Sequence, residues 1–297
     1  MGCVIVTGAG GFVGGNVVRY LNRNNIKVCA VWHNHEPKKV QEEVVMARVD
    51  LNNMNEIRDE LSFDKLGTVD AIIHLAAQLP GAHSIDDYLD NTINATRNIV
   101  SYAQERGINT FIYASTIGIY GDTTGGVVTE NTNRTNLSDY SMAKYIGERI
   151  VEEAHLPRRT IIRLPRMVGE GMSLDCPWIP ALANKLIRGD EVKFYNPDNY
   201  FNQVAHVDSL SGFLITLLKN KNEQCLTVGI GAAEPIKIIE VIELLKKMLG
   251  SMSMLTRIER KKNDSVNLLD LSKAISVGFR PLTVKETLEK LAADLKY

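Results

Sequence analysis

The sequence predicts a doubly wound α/β fold: a parallel sheet with helices on both faces, followed by a smaller C-terminal α/β lobe. Three observations carry this. Short β-branched runs alternate with stretches of helical period through the first 165 residues, the rhythm of βαβ units. The runs are nearly all apolar rather than alternating, as in strands buried on both faces. The first run enters a glycine turn that opens a helix.

The strands expected, in order, are Val4 to Thr7, Val28 to Trp32, Val44 to Val49, Ala71 to Leu75, Thr110 to Ser115 and Thr160 to Leu164. After residue 165 proline and glycine become frequent (Pro165, Gly169, Gly171, Pro177, Pro180, Gly189, Pro197), and helices are expected at 178–188, 208–219, 236–249 and 283–295. The expected division is 1–165 for the sheet domain and 166–297 for the smaller lobe, with a segment near 204–230 returning to the first. In an open α/β sheet ligands bind beyond the carboxyl ends of the strands, so the lobe is expected to close over that edge and supply a small-molecule pocket.

A chain of 297 residues with 44% apolar side chains can bury a large core, as one large domain or two unequal ones. A net charge of -1, without long runs of one sign, leaves no electrostatic footprint for nucleic acid or an anionic membrane. Cys3, Cys29, Cys176 and Cys225 are widely spaced and form no Cys-x-x-Cys pair, which suggests neither zinc nor disulfides. No metal is expected. No apolar run approaches ~20 residues and the N-terminus reads as a strand rather than a leader, so a cytoplasmic protein without membrane contact is expected.

Val4-Ile-Val-Thr-Gly8-Ala-Gly-Gly11-Phe-Val-Gly14 runs into Asn16-Val-Val-Arg-Tyr-Leu, giving the strand, turn and helix that a Rossmann-type dinucleotide site requires. Gly8 allows the tight turn, Gly11 lets the backbone approach a pyrophosphate, and Gly14 lets helix and strand pack closely. The end of the second strand, Trp32-His33-Asn34, lacks the acid that usually holds the ribose of NAD. With His33, His35, Lys38 and Lys39 nearby, the balance within NAD(P) favours NADP. The competing reading makes these side chains a solvated loop. Asp50 and Leu51 either contact the adenine or start a helix cap.

Phe111-Ile-Tyr-Ala-Ser115-Thr116 is a buried strand ending in hydroxyls, and Tyr140-Ser-Met-Ala-Lys144 opens a helix after a polar loop. The four-residue spacing places Tyr140 and Lys144 on one helical face. An ammonium held near a phenol favours the phenolate, so Tyr140 becomes able to exchange a proton with a carbinol or carbonyl oxygen, while Thr116 or Ser115 holds that oxygen.

Together these segments resemble the extended short-chain dehydrogenases, the family of nucleotide-sugar epimerases, dehydratases and 4-ketoreductases. The resemblance covers nearly the whole chain. It also takes in His74-Leu-Ala-Ala77, Asn94-Ala-Thr-Arg-Asn98, Tyr120-Gly121, Arg163-Leu-Pro-Arg-Met-Val-Gly169, His206-Val-Asp208 and Gly278-Phe-Arg-Pro281. It implies catalysis by Thr116, Tyr140 and Lys144, with Lys144 also holding the nicotinamide ribose. It implies a cofactor bound by Gly8, Gly11, Phe12, Val13, Gly14, His33, Asp50, Leu51, Leu75, Ala76, Ala77 and Pro165 besides Tyr140 and Lys144. Substrate would meet Gln78, His83, Ser115, Thr116, Ile117, Arg166, Trp178 and Asn202. Asn94 would brace the sheet. A homodimer through the helices near 94–106 and 140–153 is implied as well.

The sequence departs from the family pattern in two places. Dehydratases carry an acidic pair where this chain has Ile117 and Gly118, which disfavours dehydration. Uridine-nucleotide epimerases place an asparagine and an arginine where this chain has Arg166 and Asn202, an exchange of residue types. Arg166 either meets a phosphate through its guanidinium fork or forms an interlobe salt bridge. His83 is a proton donor or a solvated loop residue; Trp178 and Tyr195 pack on substrate or in the lobe core. His74 and His206 read as structural. The function implied is hydride transfer at a carbon of a nucleotide-activated sugar, usually C4, in a reductase or an epimerase. Two alternatives stand beside it: a reductase of a small non-nucleotide ketone or aldehyde, and a regulator that senses NAD(P) without chemistry.

Overall fold

The computed structural model describes residues 2–38, 43–81, 83–123, 125–220, 222, 224–259 and 267–296. Lys39, counted above among the charges near the second strand, lies outside them. Two compact units emerge. The first comprises 1–122, 134–164 and 211–228; the second comprises 123–133, 165–210 and 229–297. The excursion of 123–133 into the second unit was not expected from sequence.

The first unit is built on a seven-stranded sheet. Its strands begin with β1 (Cys3–Thr7), β2 (Val28–Trp32), β3 (Val45–Arg48), β4 (Val69–His74) and β5 (Thr110–Thr116), and continue with Arg158–Leu164 and Gln224–Gly229. The spatial order is Gln224–Gly229, Arg158–Leu164, β5, β4, β1, β2, β3. Residues 3 to 7 are buried without exception, as are 69 and 71 to 74, which is why these strands read as unbroken apolar runs. Register is parallel from β3 across to Arg158–Leu164, with Val4 opposite Val28 and Ala71, and Thr116 opposite Leu164. The last strand, Gln224–Gly229, has no counterpart among the strands expected.

Helices α1 (Phe12–Arg23) and α2 (Met54–Glu60), with the longer helices Ala95–Glu105 and Asp139–Glu153, belong to this unit. On one face of the sheet Ile5, Val31 and Ile72 pack with Ile57 of α2 and with Ile99 and Tyr102 of the Ala95–Glu105 helix. At about 1.5–3 kcal/mol for each large side chain removed from water, this layer is a main source of the unit's stability. The chain leaves β1 for β2 on one side and reaches β4 on the other, so the strand order reverses between β1 and β4. Their carboxyl ends therefore mark the crevice where doubly wound sheets bind ligands.

The second unit pairs short strands two by two: Gly126–Val128 with Asn267–Leu269, Arg166–Val168 with Val204–His206, Val192–Phe194 with Leu255–Arg257, and Tyr200–Phe201 with Ile236–Lys237. Its core joins Leu182 and Leu186 of the Ile179–Arg188 helix to Ile242 and Leu245 of the Ile238–Met248 helix and to Val192 and Ala292. Gly189, left-handed at φ 75°, ends the first of these helices. Among the described residues no helix is long and apolar enough to cross a membrane.

Candidate active site

At the end of β1 the turn requires glycine twice. Gly8 has φ +70°, and a Cβ there would stand 2.7 Å from the amide nitrogen of Ala76; one on Gly14 would stand 2.1 Å from the Gly8 carbonyl oxygen. Only without those carbons can α1 start against β1 and the β4 loop. Gly11 is the N-cap of α1 and contributes no side-chain cap, and the first turn carries no acidic residue. The positive end of α1, with Phe12 and Val13 in its first turn, is thus left for an external anion. This cradle fits the pyrophosphate of a dinucleotide.

A buried chain of hydrogen bonds ties this turn to the loop after β4. The Ala76 amide donates to Thr7 Oγ1 (3.3 Å), which lies 2.7 Å from His74 Nδ1; His74 Nε2 lies 3.0 Å from Thr96 Oγ1, and that hydroxyl donates to the Thr92 carbonyl (2.6 Å). Because the Thr96 proton is spent on Thr92, His74 must donate from Nε2 and accept from Thr7 at Nδ1. Burial, reinforced by the charge of Lys144, pushes the imidazole down to about 3, so His74 is a neutral relay at any physiological pH. Half-buried Leu75, Ala76 and Ala77 follow directly.

Asn94 does not take the bracing role. The chain makes a π-helical turn over Leu89–Asn94, and the Asn94 side chain bonds Asp90 and Arg97 on its own helix. The wider turn instead brings Thr92 and Thr96 to the sheet. Thr92 Oγ1 accepts the Gln78 amide at 3.0 Å. The Gln78 side chain in turn lies 2.9 Å from His83 Nε2 and accepts from Asn91, and the His83 ring meets the edge of Tyr88. Tyr88 packs against Tyr140, their ring centres 6.4 Å apart. Gln78 and His83 are therefore linked through Tyr88 to the tyrosine of the helix Asp139–Glu153.

That helix starts at Ser138, whose hydroxyl accepts the Ser141 amide. Tyr140 is half-buried and Lys144, one turn on, is 2% exposed. The Lys144 ammonium nitrogen rests 4.2 Å from the centre of the Tyr113 ring. Burial pushes Lys144 down to about 7, opposed by Glu148. Glu148 is itself held by Nε and Nη2 of Arg163 (3.0 and 2.9 Å), and Arg163 Nη1 donates to the Tyr120 hydroxyl (3.0 Å). This buried network fixes the helix to the strand Arg158–Leu164 and to the 3₁₀ turn Ile117–Tyr120.

At the end of β5 the Thr116 hydroxyl accepts the Gly118 amide (3.1 Å), which uses a lone pair and leaves its proton to be donated. Ser115 Oγ is buried and has no hydrogen-bond partner among the described residues. Its hydroxyl is therefore available to a bound ligand. Half-buried Ile117 follows on the 3₁₀ turn.

Other expected residues lie elsewhere or are otherwise engaged. The Asn202 amide is used at both ends, donating to the Leu269 carbonyl and accepting the Leu269 amide, each at 2.9 Å, so it knits the second unit. Trp178, at φ +69°, sets its ring edge-on to Phe201 at 5.5 Å and packs against the second unit's core. Arg166, half-buried, opens the strand paired with Val204–His206, and Pro165, buried, precedes it. His206 accepts the Asp208 amide at Nδ1 and donates from Nε2 to Asp294 (2.8 Å), a structural imidazole. Asp50 accepts the Asn52 amide, while Asn53 caps α2 and Asn98 donates to the Leu51 carbonyl. His33 is exposed beyond β2, and its carbonyl accepts from Arg48, whose guanidinium lies over the Trp32 ring. Arg48, Thr7, Thr96, Tyr113 and Glu148 escaped the sequence reading, because only strand pairing and helix packing bring them to the site.

A family profile described as the NAD dependent epimerase/dehydratase family matches residues 4–229. The chain belongs to that family. These are the extended short-chain dehydrogenases that its motifs resembled, and the chain is an enzyme of this group. A putative UDP-glucose 4-epimerase of Methanocaldococcus jannaschii is 24% identical over 99% of this chain and 98% of its own. A dTDP-4-dehydro-6-deoxy-D-allose reductase of Streptomyces is 25% identical over 97% of this chain and 94% of its own. Among solved structures, a UDP-glucuronic acid 4-epimerase from Bacillus cereus in complex with NAD superposes with a TM-score of 0.82 at 20% identity, covering 99% of this chain and 98% of that one. At this identity the superposition establishes the shared fold.

Proposed function

We propose that this enzyme is an NAD(P)-dependent reductase or epimerase of a nucleotide-activated sugar, acting at a sugar carbon that we take to be C4. One observation carries the proposal: a buried lysine one helical turn from a half-buried tyrosine, on a helix locked to the end of β5 where Thr116 has a proton to donate. Bound NAD(P) supplies the hydride donor or acceptor. Tyr140 moves the matching proton to or from the sugar oxygen, Thr116 donates a hydrogen bond to that oxygen, and Lys144 in its charged form favours the phenolate. Gly8, Gly11 and Gly14 admit the pyrophosphate, and Ala76 and Ala77 line the far wall of the cofactor cleft. The positions of a dehydratase's acidic pair hold Ile117 and Gly118, neither of which can move a proton.

NAD occupies the solved Bacillus cereus relative. For this chain the basic side chains at the ends of β2 and β3, with His33, His35, Lys38 and Arg48 exposed there, support NADP and net reduction. The engagement of Asn202 favours a second reading, a smaller ketone substrate, because the position that carries an arginine in uridine-nucleotide epimerases offers nothing to a diphosphate here. We place a homodimer contact on the helices Ala95–Glu105 and Asp139–Glu153.

The deciding experiment identifies the dinucleotide that copurifies and screens nucleotide-linked 4-keto sugars for oxidation of NADPH and NADH. Oxidation of NADPH supports the reductase. Retained NAD without net redox change selects the epimerase. Turnover of small ketones alone refutes the nucleotide-sugar assignment.

A further inference from the structure

The side chain of Lys144 leaves its helix toward the sheet and ends on an aromatic face. Tyr113 of β5 is fully buried, and its hydroxyl points at the Lys144 backbone carbonyl (3.4 Å). The same hydroxyl explains Gly147: a Cβ at that position would stand 2.1 Å from it. The Tyr113 ring also stacks on His74, centres 5.7 Å apart at 27°. The phenol ring of Tyr113 therefore contacts both the Lys144 ammonium and the neutral His74 imidazole.

We propose that Tyr113 is a positioning residue whose ring face is the seat that holds the Lys144 ammonium for its work on Tyr140. An aromatic face attracts a cation, and the attraction grows when water is excluded. Among the described residues, His74, Glu148 and Tyr140 also bear on Lys144. His74, from β4, is fixed as a neutral tautomer by Thr7 and Thr96, so it does not repel the ammonium. Glu148, the next turn of the same helix, is the acid that favours the charged form, and it is paired with Arg163 from the strand Arg158–Leu164. Tyr140, the remaining titratable neighbour, is the group that Lys144 serves. Because Glu148 is held by Arg163, the ring rather than a direct ion pair seats the ammonium, which leaves Lys144 able to reach a ribose. Only the kinetic part of this inference rests on the proposed function; the seat itself is tested without substrate.

The test is the titration of Lys144 in cofactor-free protein, followed by NMR of lysine labelled with 13C at the ε carbon and assigned by its loss in Lys144→Met. Tyr113→Met, which fills the space without a π face, should lower the lysine's midpoint by about one pH unit. Tyr113→Phe, which keeps the face, should leave it in place. The alkaline limb of the pH profile for kcat/KM should move down with the lysine in the methionine variant alone. Equal shifts in both variants, or none in Tyr113→Met, would overturn the proposal. If Tyr113→Met does not fold, phenylalanines carrying successive fluorines at position 113 replace it; they hold the shape and drain the ring face, and a flat lysine midpoint across them refutes the seat. A lysine that follows the series in an enzyme that turns over no nucleotide sugar would instead refute the functional assignment and leave the seat standing.

Discussion

Replacing Lys144 by methionine should stabilise the cofactor-free protein, and by an amount that depends on pH in a set direction. The ammonium is 2% exposed, and its proton affinity falls from the ordinary 10.5 to about 7, chiefly through burial. At about 1.4 kcal/mol per unit, that fall corresponds to about 5 kcal/mol carried by the charged form in the folded state. Relaxation and water entry should leave roughly half of it measurable, about 2–3 kcal/mol. Between pH 7 and 10 the unfolded chain holds the lysine proton and the folded one has released it. Wild-type stability therefore rises with pH across that window as far as this group is concerned. In Lys144→Met the gain should be absent, while the variant should exceed wild type at pH 7 and the difference should shrink toward pH 10. Urea unfolding at pH 7, 8.5 and 10, read by circular dichroism, measures both. Parallel pH dependence in the two proteins would refute the buried, charge-opposed lysine.

Tyr140→Phe should abolish turnover while leaving dinucleotide affinity by calorimetry nearly unchanged, since the hydroxyl serves only proton transfer; full activity would remove the assigned role. Glu148→Gln should destabilise by about 3–5 kcal/mol, because it strands Arg163 as an uncompensated buried charge, whereas exchanging both partners for apolar residues of similar volume should be far milder. A single variant as stable as wild type by urea unfolding would contradict that pairing. Gly14→Ala should reduce cofactor affinity by well over tenfold, because α1 must retreat from the Gly8 carbonyl; unchanged binding would show that the close approach is unimportant. Sedimentation at micromolar concentration should show a dimer, and a monomer would remove the proposed helix contact.

The glycine turn was legible because its constraints are local. Gly8, Gly11 and Gly14 lie within one strand-turn-helix, where the left-handed φ of Gly8 and the clash of a Gly14 Cβ with the Gly8 carbonyl are set by the turn itself. Tyr140 and Lys144 were legible for the same reason, since helical geometry alone sets residues four apart on one face. Asn94 was misplaced because a π-helical turn shifts which residues face the sheet, and helical period predicts nothing about such a turn. Asn202 was misplaced, and the core packing of Trp178 was left as one of two readings, because their surroundings, Leu269 and Phe201, are unrelated to them by any sequence period.

By itself, then, the chain's sequence determined the βαβ rhythm, the anion-receiving helix start and the tyrosine-lysine pair, since steric and hydrogen-bonding rules acting over a few residues suffice for each. Tertiary structure alone decided what surrounds them. Parallel pairing of β1 and β4 sets His74 against Thr7, and helix packing lays Lys144 on Tyr113 and Glu148 on Arg163. These contacts join residues up to 67 positions apart. They are chosen by the global minimum of burial and hydrogen bonding, which no local pattern encodes.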